Sequence, residues 1–66
     1  MSKELPFIVL ALEEYRKSKN LNEEEVIELF KKNYVFEYLK SFYDVLHITG
    51  TKYIIQDIDE YIASRK

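Results

Sequence analysis

Asp44 and His47 stand three residues apart, a spacing at which two side chains on one helix can touch. A carboxylate beside an imidazole is the pairing that orients a histidine as a general base. Ser41, three residues earlier, completes a Ser–Asp–His order along the chain. Nearly two helical turns separate the Ser41 hydroxyl from the His47 ring, so the serine is poorly placed for activation, and nothing local supplies an oxyanion site or a pocket. The plainer reading is a helix-end histidine. Asp44 would steady His47, and the ring would serve the last turn as a cation or carbonyl partner. No catalytic residue is assigned, and a non-enzymatic protein is expected.

Metal chemistry has equally little to work with. Asp44 and His47 make two ligands where zinc takes three or four. Glu23, Glu24 and Glu25 diverge by about 100° per residue around a helix and read as a helix start. Asp57, Asp59 and Glu60 read as a solvated face. The chain has no cysteine, one histidine and one glycine. Disulfide scaffolds, zinc ribbons, thiol nucleophiles and glycine-rich phosphate loops are thereby excluded. Neither a metal nor a cofactor is expected.

These residues require helices to hold them, and the apolar spacing predicts four. The first spans about Lys3 to Lys19, with Leu5, Ile8, Val9, Leu12 and Tyr15 on one face and Phe7, Leu10 and Ala11 widening it. Pro6 falls in the first turn, where a missing N–H costs nothing. Arg16, Lys17 and Lys19 suit the negative end of the dipole. Asn22 with Glu25 forms a capping box for the second helix, and Leu21 with Val26 a hydrophobic staple. Val26, Ile27, Leu29 and Phe30 are its apolar face. Lys31, Lys32 and Asn33 end it, with Asn33 suited to the left-handed conformation that follows many helices.

A third helix is predicted over about Tyr34 to His47, with Val35, Leu39, Phe42 and Leu46 as its core stripe. Phe36, Tyr43, Tyr38 and Val45 flank that stripe, which places the helix in the middle of the fold. Gly50 breaks the chain, being free to adopt positive φ. The last helix spans about Lys52 to Ser64, with Ile54, Ile58, Tyr61 and Ile62 at helical spacing. The alternative is three helices plus a short β-hairpin around residues 46–55, favoured by β-branched residues but lacking a third strand. The expected fold is an all-α, compact bundle of four short helices in one small domain, residues 1–66.

A short turn between the second and third helices resembles a helix-turn-helix. Its recognition helix would carry Lys40 against Glu37 and Asp44, whereas phosphate binding needs clustered cations such as Lys31, Lys32 and Lys40 on one surface. With a net charge of −2, nucleic-acid binding ranks second. The stretch Leu5–Leu12 is far short of the ~20 residues a membrane helix needs. It also lacks a signal-peptide cleavage pattern, so a cytoplasmic protein without membrane contact is expected.

Size adds the last constraint. A 66-residue chain has a marginal core unless disulfides, metals, association or dense aromatic packing supplement it. Six tyrosines and four phenylalanines exceed what so small a core can hide, and tyrosine is enriched at protein interfaces. Tyr34, Tyr38, Tyr43 and Tyr53 are accordingly candidate protein-interaction residues. The expected partner is a second copy (a dimer) or another protein.

Several phrases also carry a resemblance: Glu13 with Tyr15, Glu28-Leu29-Phe30, a phenylalanine-tyrosine helix, Tyr43-Asp44-Val45-Leu46-His47, the Thr-Gly turn, Tyr53-Ile54 and Asp57-Ile58. Over about Phe7 to Ile62 the chain resembles a family of small uncharacterised bacterial proteins known as a domain of unknown function. The resemblance implies no activity or cofactor. It implies an antitoxin-like role as partner of an ADP-ribosyltransferase-like protein, with Tyr43, Asp44 and His47 as the first positions to test. Asp44 and His47 thereby join the candidate protein-interaction residues.

Overall fold

A computed structural model describes residues 2–65. The order is α1 (Glu4–Lys19), α2 (Glu23–Lys32), α3 (Val35–Ser41), α4 (Tyr43–Leu46), a 3-10 turn over His47–Thr49, and α5 (Ile54–Ser64). The all-α expectation holds, and the four-helix count becomes five. No strand occurs among the described residues. Residues 46–55, which the hairpin alternative pairs, instead close local bonds: Gly50 N–H donates to the His47 carbonyl at 3.0 Å and Thr49 Oγ1 to the Leu46 carbonyl at 3.2 Å. A hairpin needs partners across a sheet to outweigh such turns.

α1 ends on Asn20, whose backbone is left-handed at φ 56. Asn20 N–H donates to the Lys17 carbonyl and Leu21 N–H to the Arg16 carbonyl, the two bonds of a Schellman closure. α2 starts as expected: Glu25 N–H donates to Asn22 Oδ1 at 2.8 Å, and Asn22 N–H donates to Glu25 Oε1 at 2.9 Å. Its end differs. Asn33 keeps φ −104, donating its side-chain Nδ2 to the Leu29 carbonyl at 3.0 Å, and the left-handed residue is Tyr34 at φ 59.

The expected third helix is divided at Phe42. The Phe42 N–H closes α3 on the Tyr38 carbonyl, and the Phe42 carbonyl opens α4 by accepting from Val45 and Leu46. A straight helix over Tyr34–His47 would run about 21 Å, nearly the width of a globule measuring 25 × 23 × 21 Å. The bend brings Leu46 into the core and leaves Phe42 outside it. The last helix starts two residues later than expected, at Ile54, because Gly50 (φ 62, ψ −137) is followed by turns rather than helix.

The core comprises Phe7, Ala11 and Tyr15 from α1, Val26 and Phe30 from α2, Val35 and Leu39 from α3, Leu46 from α4, and Ile54 and Ile58 from α5. On α1 the inward stripe is therefore Phe7–Ala11–Tyr15 flanked by Ile8 and Leu12, and Leu5 and Val9 lie outside. Small Ala11 at the centre of that stripe lets neighbouring helices approach closely. Edge-to-face contacts run from Tyr15 to Phe30 at 5.4 Å and from Phe30 to Phe36 at 5.5 Å. Such pairs add about 0.5–1.5 kcal/mol each beyond their buried area.

Candidate functional site

The interaction residues expected from sequence fall into three places. Tyr43, Asp44 and His47 lie where α4 meets the start of α1. The Tyr43 ring packs edge-on against Phe7 at 5.6 Å, and the His47 ring stacks on Tyr43 at 4.5 Å, 7° from parallel. His47 Nδ1–H donates to the Tyr43 carbonyl at 2.7 Å, so the imidazole caps the end of α4 and its Nε2 is left as the free acceptor. Among the described residues no hydrogen bond joins Asp44 to His47. The Asp44 carboxylate instead sits 3.6 Å from Lys3 Nζ, in solvent. Back-bonding to a carbonyl one turn earlier keeps the ring along the helix and away from Asp44.

Tyr34 and Tyr38 belong to a second group built by α3 and α5. Tyr38 stacks on Tyr61 with centroids 4.2 Å apart and 13° between planes, and Phe42 tilts against Tyr38 at 5.4 Å. The Arg65 guanidinium lies 4.6 Å from the Tyr34 centroid and 5.7 Å from that of Tyr61. Burial, then the charges of Asp57 and Glu60, push the Tyr38 hydroxyl above the ordinary tyrosine range. Tyr53 stands apart, with Lys52 Nζ 5.3 Å from its ring.

Phe42, Val45 and Ile48 recur every three residues across α4 and the 3-10 turn, and are 52%, 67% and 76% exposed. Residues three apart are neighbours on an α-helix surface and eclipse one another in a 3-10 turn, so the three make an apolar ridge. Sequence reasoning placed Phe42 in the core and Val45 on its flank, and it passed over Ile48 and Arg65. The three-residue period of Phe42, Val45 and Ile48, just before Thr49-Gly50, was the available signal for the ridge.

Opposite in character is the tie between α1 and α5. Tyr15 Oη donates to Asp59 Oδ1 at 2.6 Å and Lys19 Nζ to Asp59 Oδ2 at 2.7 Å. Burial and the Asp59 hydrogen bond raise the Tyr15 pKa well above its usual range. Burial alone would raise the Asp59 pKa, but the hydrogen bonds from Lys19 and Tyr15 and the Lys19 charge outweigh it and bring the carboxyl below its usual value. A shallow groove of about 450 Å³ runs along α2, lined by Glu24, Glu25, Glu28, Leu29 and Lys32. It contains neither Asp44 nor His47. Among the described residues no three His, Cys, Asp or Glu side chains gather as metal ligands would, and no helix is long and apolar enough to cross a membrane.

No curated protein and no solved structure matches the chain. One family model does, over residues 6–65, and its description is protein of unknown function (DUF3791). That match takes in all five helices except the first two residues of α1, and the chain belongs to the DUF3791 family of proteins of unknown function.

Proposed function

We propose that the protein is a non-enzymatic protein-docking module that pairs with a second copy of itself through the ridge Phe42–Val45–Ile48. The exposure of these three side chains in a chain with so little core carries this reading. Single exposed apolar residues are ordinary, whereas contiguous ones mark contact surfaces. A two-fold pairing would cover the same ridge on both copies at once. The net charge of −2 opposes such pairing only weakly. A standard interface needs about 800 Å² per partner, so the ridge acts as an anchor and its neighbours complete the contact. Phe42 leads directly to Tyr38 and Tyr61.

Mass in solution tests this. Sedimentation of the full chain should show a protomer–dimer equilibrium in the micromolar range. The double variant Val45→Asp, Ile48→Asp should remain a protomer with unchanged helical circular dichroism. A wild-type protomer at high micromolar concentration, or a double variant that still dimerises, removes the reading.

A further inference from the structure

We infer that Tyr34 and Tyr61, with Tyr38 stacked behind Tyr61, form a socket for an arginine side chain of a partner protein, and that Arg65 of the same chain is its displaceable occupant. This goes beyond pairing through the ridge, because it assigns a separate site and the chemistry that enters it.

The occupant itself identifies the ligand class. A guanidinium within about 6 Å of a tyrosine centroid is attracted by the ring quadrupole, and Arg65 meets that distance at both Tyr34 and Tyr61. Arg65 is loosely held. Its one side-chain hydrogen bond among the described residues, Nη1 to Tyr61 Oη, is 3.4 Å long, and it forms no ion pair there. Asp57 and Glu60 place negative charge beside Tyr38, which favours a cation over any neutral side chain. Guanidinium is preferred to ammonium because its plane stacks on an aromatic face and sheds water more readily.

Tyr34 supplies an independent argument. It occupies the left-handed region at φ 59, which disfavours any residue with a bulky Cβ substituent. Tyr34 is 52% exposed, so burial returns little for that strain, and glycine or asparagine would take the turn more easily. What the ring does contribute is the face on which a guanidinium rests. The socket is also continuous with the ridge: Phe42 touches Tyr38, Tyr38 stacks on Tyr61, and Tyr61 adjoins Arg65.

The test titrates the full-length chain with N-acetyl-arginine amide, following the Tyr34 and Tyr61 ring protons by NMR. In Arg65→Ala the rings should shift saturably, with an apparent affinity about threefold tighter than in wild type. N-acetyl-lysine amide should bind more weakly. Adding Tyr34→Gly should abolish saturation while the melting temperature stays level or rises, since glycine relieves the positive φ. Equal titrations of wild type and Arg65→Ala, or no saturable shift in either, overturn the socket. Repeating the titration in the Val45→Asp, Ile48→Asp background separates these shifts from any pairing through the ridge.

Discussion

α2 and the segment Phe42–Thr49 are built from similar amounts of apolar side chain and meet opposite fates. α2 carries Val26, Ile27, Leu29 and Phe30, and two of these are fully buried with the other two packed against the core. The later segment carries Phe42, Tyr43, Val45, Leu46 and Ile48, of which Leu46 alone is buried. The difference lies in helical phase. A capping box starts α2 in one register and holds it for ten residues, so its apolar positions stay on one side. At Phe42 the register restarts, and after Leu46 the coil tightens to three residues per turn. Apolar positions chosen at α-helical spacing then rotate outward. Burial follows phase, and composition alone does not determine it.

That contrast can be broken from its strong end first. Phe30 is fully buried, between Tyr15 and Phe36. Phe30→Ala should cost about 3–5 kcal/mol by urea denaturation. The tie next to it, at Asp59, has a smaller effect. Tyr15→Phe removes one hydrogen bond to a charged acceptor and should cost about 1.5 kcal/mol, the low end for such bonds because the carboxylate is partly solvated. The same carboxylate makes stability depend on pH. Its folded pKa lies below its unfolded one. Its contribution is therefore complete above the unfolded value and disappears as pH falls through the folded value. Thermal melts should show a loss on the acid side that Asp59→Ala lacks. Smallest of all is the effect at the exposed end of the contrast: at concentrations low enough to keep the chain a protomer, Ile48→Ala should change unfolding free energy by no more than about 0.5 kcal/mol. A loss near that of Phe30→Ala would show that Ile48 is buried in solution, and the two regions would cease to differ.

Local signals in the chain were readable to the residue at α2. Asn22, Glu25 and the acidic first turn act within one helical turn of each other, and the capping box forms as the spacing implied. α1 shows the limit of the same reasoning. With apolar residues on several faces, its periodicity admitted a stripe through Leu5 and Val9 as readily as one through Phe7 and Ala11, and packing selected the latter. At the α2–α3 junction asparagine was the natural left-handed residue. Asn33 instead spends its side chain on the Leu29 carbonyl, and the positive φ passes to Tyr34. Of the interaction residues, Tyr34 and Tyr38 do share one cluster. Tyr61 and Arg65, more than twenty residues away in sequence, complete it, and no short-range pattern joins them.

The amino-acid sequence by itself determined the start of α2, the break at Gly50 and the absence of any sulfur staple, and it favoured the all-helical class while leaving a hairpin around residues 46–55 open. Capping, backbone propensity and composition act over a few residues and need no partner. Only the tertiary structure decided which face of α1 turns inward, where the chain bends at Phe42, and that a guanidinium from the last residues rests on Tyr34. Each of those outcomes depends on distant segments competing for the same small volume, and that competition exists only once the helices have met.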